Sequence, residues 1–247
     1  MEQQPNETLS VEERAMLKEI GSGVRTIVQK LHKEIIRGDY GAVVGEDVSG
    51  RLPALMLGDV IKTLSNAHGQ DAPLIRFMAG GTGLTTKEMD AKLSLAETQM
   101  RVIKNDMEKR FGIAKKVLIS TEAIDTGQSM GILAVAARNA GLATDVATIG
   151  FPLALVPLVK TFLKAQWRAS VIHASLQIPA VSKISNEMAG VEKNPTDLFS
   201  TRRKKISGET SHAESQNKID TAVVRAARAE ARKISNHIAQ SFLQQSP

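Results

Sequence analysis

The stretch from Lys115 to Gly141, KKVLISTEAIDTGQSMGILAVAARNAG, changes character twice along its length. It begins with a short apolar run, Val117 to Ser120, that predicts a buried strand. A polar loop with two carboxylates, hydroxyls and a glycine follows. A continuous apolar helix then ends at Gly141, a residue type that commonly terminates helices. The stretch therefore predicts a strand, a loop and a helix in that order, which is the repeating unit of an α/β fold.

The same unit recurs on both sides of this stretch. Upstream, Ala42 to Val44 predicts a strand, a loop from Glu46 to Arg51 follows, and the next helix ends at Gly69. Strands alternating with helices predict an α/β fold, in which a Rossmann-like parallel sheet is flanked by helices on both faces. The remaining core elements predicted from apolar runs are strands at 73–81, 143–151 and 169–176 and a helix at 153–166.

Helical segments extend this core on both sides. Leu9 to Arg37 has apolar residues at helical spacing and a capping box formed by Ser10 and Glu13, and we expect Gly21 and Gly23 to interrupt the helix. The last segment, 219–242, also has an apolar stripe at helical spacing. We favour its packing on the body or pairing with a second subunit over its docking on an acidic partner. The predicted organisation is an N-terminal helical segment at 1–36, a core at 37–190, and a basic linker with a C-terminal amphipathic helix at 191–247.

The composition limits the classes of function. Of the 247 residues, 42% are hydrophobic and none is cysteine, which excludes disulfides, thiolate metal sites and cysteine nucleophiles. No apolar run approaches the roughly 20 residues that span a bilayer. The polar N-terminus does not resemble a secretion signal, so we expect a cytoplasmic protein that does not contact a membrane.

Positive charge is concentrated toward the end of the sequence. The formal charge is +6, and the segment from Arg202 onward holds nine Lys and Arg residues against four Asp and Glu. Such a segment binds nucleic acid in some proteins and is a solvated helix face in others. Only 3% of the residues are aromatic, which leaves little surface for stacking bases, so nucleic-acid binding is the less favoured interpretation.

Two loops are unusually polar for positions that follow a buried strand, Glu46 to Arg51 and Thr121 to Ser129. Because ligands bind at the carboxyl ends of parallel strands, we expect these loops to border one site. The glycine of the second loop lets backbone amides approach an anion, and the next helix presents its N-terminus to negative charge. Asp125 and Ser129 could instead only cap that helix, but capping needs one residue and leaves Glu122 unexplained.

The second loop resembles the hallmark motif of the type I phosphoribosyltransferases. In that family an apolar strand precedes two acidic residues, two mostly apolar residues, and then Asp or Thr, Thr, Gly, any residue, and Thr or Ser. The order of elements from about Arg37 to Leu176 also agrees with the family. Only Thr121 departs at a key position, where the first acidic residue is missing. The corresponding residues are Val117-Leu118-Ile119-Ser120, Thr121-Glu122, Ala123-Ile124 and Asp125-Thr126-Gly127-Gln128-Ser129.

The resemblance implies the type I phosphoribosyltransferase fold and the transfer of a 5-phosphoribosyl group between phosphoribosyl pyrophosphate (PRPP) and a nitrogenous base. Glu122 would bind the ribose hydroxyls. Asp125, together with Glu122, would be catalytic, since a carboxylate at that position is proposed to handle a base proton in the 6-oxopurine branch. The residues implied to hold the ribose and 5-phosphate are Glu122, Asp125, Thr126, Gly127, Gln128 and Ser129. Those implied to hold pyrophosphate are Asp47, Ser49, Gly50 and Arg51.

Mg²⁺ is the cofactor that the resemblance implies, bound through PRPP, with Glu122 as the one candidate protein ligand. Thr82 to Arg110 lies where the family has a flexible loop that closes over the reacting centre. This segment is longer and more helical than that loop usually is, with an apolar stripe at helical spacing formed by Leu93, Ala96, Met100, Ile103 and Met107. Lys87 and Lys92 in that region are candidate pyrophosphate contacts, with solvated lysines as the alternative. The sequence IDTG favours a purine base, although Gln-Ser replaces the Lys-Thr that usually follows. PRPP, a base or nucleotide, and a second copy of the chain in a homodimer are the expected partners.

Two functions from different classes remain open. The first is Mg²⁺-assisted phosphoribosyl transfer. The second is a non-catalytic protein of the same fold that senses PRPP or a nucleotide, and that could contact nucleic acid through its basic tail. Thr121 separates them, because one lost carboxylate contact is worth on the order of 1–3 kcal/mol of binding. The threonine hydroxyl still donates and accepts hydrogen bonds.

Overall fold

The computed structural model describes residues 9–46, 50–78, 86–124, 128–150, 170–175, 191–193, 201–203 and 221–245. The helices are α1 (Val11–Ile36), α2 (Arg51–Ala67), α3 (Thr86–Phe111), α4 (Gln128–Asn139) and α5 (Thr221–Leu243). The main strands are β1 (Tyr40–Glu46), β2 (Leu74–Met78), β3 (Lys116–Ala123), β4 (Thr144–Gly150) and β5 (Ser170–Ser175). Two short strands, β6 (Val191–Lys193) and β7 (Thr201–Arg203), form a separate antiparallel pair.

The five main strands form one sheet in the order β2-β1-β3-β4-β5, and every neighbouring pair is parallel. The predicted α/β architecture with a parallel sheet is therefore confirmed. All seven residues of β1 and of β4 are buried. Because both faces of these strands are buried, their sequences do not show the regular alternation of apolar and polar residues that a half-exposed strand has.

Helices cover both faces of the sheet. One layer consists of α1, α2 and α5, which pack on side chains such as Val43 and Leu118. The other consists of α3 and α4, which pack on Val44 and Ile119. Because successive side chains of a strand point to opposite faces, consecutive residues of β1 and β3 alternate between these two layers.

The first helix is continuous, so the expected interruption at its glycines is wrong. The capping box at Ser10 and Glu13 is present. A Cβ atom on Gly21 would lie 2.5 Å from the Cγ2 of Ile234 in α5, and one on Gly23 would lie 2.6 Å from a methyl carbon of Ile149 in β4. Each glycine weakens the helix by roughly 0.5–1 kcal/mol relative to alanine. The close packing that they allow offsets this loss.

The last helix packs on the body, as one of the favoured interpretations predicted. Its buried residues join the same core cluster as α1, α2 and the sheet. The rings of His32 in α1 and Phe242 in α5 are stacked with their centroids 5.3 Å apart. The predicted helix at 153–166 lies outside the described residues. Within the ranges that are described, every helix is too short or too polar to cross a lipid bilayer.

Candidate functional site

The strand order places a topological switch point between β1 and β3. The chain leaves β1 toward β2 on one side of the sheet, and later returns to β3 on the other side of β1. In open parallel sheets the crevice at such a point, outside the carboxyl ends of the two strands, is where ligands bind. The loops that follow β1 and β3 are the two polar loops singled out in the sequence. The expectation that they border one site therefore agrees with the strand order.

The structure describes part of the predicted site. Glu122, Gly50, Arg51 and Ser129 are described in full, and Gln128 is the first residue of α4. The predicted positions that lie outside the described residues are Asp47, Ser49, Asp125, Thr126 and Gly127, together with the side chains of Lys87 and Gln128. Their predicted roles remain predictions.

Glu122 and Ser129 are both buried where the second loop begins and ends. Glu122 is 2% exposed at the end of β3, and Ser129 is 8% exposed in the first turn of α4. Leu118 packs in the α1–α2–α5 layer, so the alternation of side chains along β3 directs Glu122 toward that layer. A carboxylate is rarely this buried in a protein unless polar or charged groups surround it. Glu122 is therefore packed inside the protein at this edge of the sheet and is not a solvated surface group.

Glu46, at the end of β1, lies on the other side of the same edge. It is 5% exposed and continues the alternation that directs Val44 toward α3 and α4. The Thr121 hydroxyl lies 3.3 Å from the Glu46 Oε2 atom and 3.3 Å from the carbonyl oxygen of Ala123, so it donates to one or the other. A carboxylate thus stands beside the position where the resemblance lacks one. Sequence reasoning missed this role, because only the register between β1 and β3 brings the two residues together.

Gly50 has a steric role at the start of α2. A Cβ atom there would lie 2.3 Å from the backbone nitrogen of Glu46 and 2.4 Å from the backbone oxygen of Ser120. The Gly50 amide donates a 2.7 Å hydrogen bond to the carbonyl of Glu46. The absence of a side chain lets the first loop return tightly against β1 and β3, which keeps the N-terminus of α2 at the switch point.

Arg51, the first residue of α2, is held at the same edge. Its guanidinium carbon lies 4.5 Å from the centroid of the Phe77 ring, in the carboxyl-terminal half of β2. Stacking on an aromatic face orients a guanidinium and keeps its charge. Together with the N-terminus of α2, Arg51 brings positive charge to the mouth of the first loop.

Lys92 is not a solvated lysine. It is only 2% exposed and extends the buried stripe of α3 formed by Ala96, Met100 and Ile103. That stripe packs in the α3–α4 layer, the same layer toward which Glu46 and Thr121 are directed. Because α3 begins just after the carboxyl end of β2, Lys92 lies roughly 9 Å along the helix from that edge.

The region expected to hold a flexible closing loop is largely helical. Residues 82–85 lie outside the described part, and α3 occupies the rest as a 26-residue helix. Its apolar stripe is buried against the sheet layer, which ties it to the core. The predicted helical stripe is confirmed for Thr86 to Arg110, so this segment is a helix where the family has a flexible loop.

The described residues at this edge do not include a cluster of protein side chains that could hold a metal ion by themselves. Within the described ranges, no three His, Asp or Glu side chains converge on a common point. The carboxylates of Glu46 and Glu122 and the hydroxyl of Thr121 are oxygen donors of the kind that Mg²⁺ prefers. Comparison with protein-family models, with curated proteins and with solved structures gave no match.

Proposed function

We propose that the chain is a type I phosphoribosyltransferase that transfers a 5-phosphoribosyl group between PRPP and a nitrogenous base, with a purine as the favoured class. The observation that carries this proposal is the switch point between β1 and β3, which both motif-bearing loops border. A phosphorylated sugar needs an anion cradle and a polar group for its hydroxyls at one site. The sequence of the second loop, Asp125 to Ser129, fits an anion cradle. The buried Glu122, which precedes this loop at the end of β3, is the polar group for the sugar hydroxyls.

Each part of the site has a role in this reaction. The nitrogen of the base attacks the anomeric carbon, the bond from that carbon to pyrophosphate breaks, and its electron pair leaves with pyrophosphate. Asp125 takes the proton that the nitrogen loses. Glu122 holds the ribose hydroxyls, and the loop from Asp125 to Ser129 holds the 5-phosphate. Since the transition state resembles an oxocarbenium ion, positioning and electrostatic stabilisation supply most of the catalysis.

Glu46 supplies the carboxylate that the motif lacks at Thr121. It reaches the same edge from β1, and its contact with the Thr121 hydroxyl puts it next to the altered position. Mg²⁺ bound with PRPP would stabilise the charge of the departing pyrophosphate. One carboxylate together with the substrate phosphates can suffice to hold this ion, so Glu46 or Glu122, which are directed toward opposite layers, fits the requirement. Arg51 adds positive charge for pyrophosphate.

The test combines turnover with binding. Consumption of isotope-labelled PRPP is measured with a panel of purine and pyrimidine bases, and binding of PRPP with Mg²⁺ is measured by calorimetry. We expect Glu122→Gln and Glu46→Gln each to weaken PRPP binding about tenfold, because each removes a charged hydrogen-bond acceptor. Asp71→Asn is the matched control, since Asp71 is exposed and precedes β2 at the opposite edge. Unchanged binding in both glutamate variants would overturn the assignment of the site.

The non-catalytic PRPP sensor remains the second candidate function. The observation that favours it is Thr121, because the site has lost one carboxylate from β3. The sensor predicts PRPP binding that Glu122→Gln weakens, without turnover of any base. The enzyme predicts both binding and turnover. A folded chain that does not bind PRPP contradicts both.

A further inference from the structure

A groove of about 420 Å³ lies between α1 and α5. Lys18 and Arg25 line it from α1, and Lys233 and His237 line it from α5. None of the Asp and Glu residues in the described part of the chain lines it. Lys18, Lys233 and His237 are exposed. The groove is separate from the switch point, because its lining residues all come from these two helices.

The shape of the groove follows from close packing of the two helices. Gly21 of α1 and Ile234 of α5 are among its lining residues, and a Cβ atom on Gly21 would lie 2.5 Å from the Ile234 Cγ2 atom. With no side chain at position 21, the groove is not filled from the α1 side. The basic side chains of both helices therefore border a common space.

The guanidinium of Arg25 is anchored at this groove. Its Nη1 atom donates a 2.9 Å hydrogen bond to the Ser241 hydroxyl, and that hydroxyl donates in turn to the carbonyl of Ile238 at 2.7 Å. The hydroxyl hydrogen is thus used within α5, and its oxygen accepts from Arg25. A guanidinium fixed by one bond still has other N–H donors, from which phosphate oxygens can accept hydrogen bonds.

Within the described residues, the positive charge of the groove is only partly balanced. Lys233 lies 3.4 Å from Glu230, a partial compensation at the surface. Neither Lys18 nor Arg25 has an ion pair within the described residues. Three permanent positive charges around one groove repel one another, and a bound anion relieves that repulsion. Lys18 and Arg25 are seven residues apart, roughly 10 Å along the helix, which exceeds the reach of a single phosphate.

We propose that the α1–α5 groove binds an anion that carries several linked phosphates. The chemistry is common to a free polyphosphate, such as a nucleoside triphosphate, and to the backbone of a nucleic acid. The few aromatic residues of the chain, and their absence from this groove among the described residues, leave no platform for stacking bases. Recognition is therefore through the phosphates. This inference does not depend on the function proposed for the switch point.

The experiment uses the full chain and a pair of matched double variants. Lys18→Gln with Lys233→Gln removes two charges from the groove. Lys109→Gln with Arg110→Gln removes two exposed charges from the far end of α3 and gives the same net charge. Binding of inorganic tripolyphosphate and of ATP is measured by calorimetry, and binding of a short DNA duplex is measured by fluorescence anisotropy at several salt concentrations. Thermal unfolding of each variant checks that the fold is retained.

We expect at least one of these probes to bind, with affinity reduced about tenfold in the groove variant and unchanged in the α3 variant. If the natural source is nucleic acid, the duplex binds and the groove variant lowers the slope of log affinity against log salt by about 1.8, which corresponds to two phosphate contacts. If the source is a free polyphosphate, ATP or tripolyphosphate binds and the duplex does not. Absence of binding by all probes, equal loss in both variants, or binding lost only in Glu46→Gln overturns the proposal.

Discussion

In the proposed site, Thr121 separates the phosphoribosyltransferase from the non-catalytic PRPP sensor, and its contact with Glu46 bears on that choice. A threonine in place of a carboxylate suggests a weakened site when the strand is considered alone. In the folded chain a carboxylate from the neighbouring strand lies 3.3 Å from its hydroxyl. The motif around Glu122 could be predicted from sequence because it is local. The contribution of Glu46 could not be predicted from sequence, because it arises from strand pairing that brings together two residues 75 positions apart.

Gly50 gives a test of how the first loop is held at the switch point. We expect Gly50→Ala to lower the free energy of unfolding by about 3 kcal/mol, since the new methyl group meets backbone atoms of β1 and β3 that cannot rotate away. Urea denaturation followed by circular dichroism measures the change. Gly112→Ala serves as the comparison, because a Cβ atom there meets nothing within 4 Å and only the positive φ of 76° opposes it. That variant should lose roughly 1–2 kcal/mol. Equal stability of Gly50→Ala and the wild type would contradict the steric role.

At the scale of elements, three strands are tied together at the edge opposite the switch point. The Tyr40 hydroxyl of β1 donates a 2.7 Å hydrogen bond to the Asp145 Oδ2 atom of β4. The Lys116 ammonium of β3 lies 3.2 Å from the same oxygen. Burial, and then the charge of Asp145, raise the pKa of the Tyr40 phenol far above its usual range. The phenol is therefore protonated at neutral pH and can donate this hydrogen bond.

The corresponding prediction concerns Tyr40→Phe. Removal of the hydroxyl leaves the Lys116 ammonium as the remaining side-chain donor to the buried Asp145 carboxylate among the described residues, so we expect a loss of about 1–3 kcal/mol in the free energy of unfolding. Chemical denaturation at neutral pH measures it. Lys116→Gln is the comparison, and it should cost less, because the lysine side chain is 39% exposed. A smaller effect for Tyr40→Phe than for Lys116→Gln would contradict this account of the edge.

The helices and strands could be predicted where their burial produces a pattern of apolar residues within the element itself. The central strands β1, β3 and β4 are buried on both faces and contain short apolar runs, and the stripe of α3 appears as a helical period. Gly21 and Gly23 misled the prediction for α1 because helix propensity is local, whereas their function is contact with Ile234 and Ile149. The burial of Lys92 could not be predicted from the sequence either, because it depends on which face of α3 packs against the sheet layer.

At the scale of the whole molecule, the two ends of the described chain complete one layer. Helices α1 and α5 pack on each other and on the sheet side that also holds α2. The apolar stripe of α5 predicts a helix with a buried face. The sequence alone does not state which surface the helix covers, because that surface is formed by residues some 200 positions away, as the 216-residue separation of Arg25 and Ser241 illustrates. The basic residues of α5 are thus presented by a helix that belongs to the core.

This placement predicts the outcome of removing α5. Deletion of residues 221–247 would expose the surfaces of α1 and α2 that Ile234, Ile238 and Phe242 cover. Each large apolar side chain contributes roughly 1.5–3 kcal/mol on burial. Their sum approaches the whole stability of a domain, about 5–15 kcal/mol. We therefore expect the truncated chain to lose its cooperative thermal transition, measured by circular dichroism and calorimetry. A truncated chain with the wild-type midpoint would show that α5 is an appendage. Since loss of anion binding on truncation would report unfolding as readily as loss of charge, the α1–α5 groove has to be tested by substitutions such as Lys18→Gln, which leave the core intact.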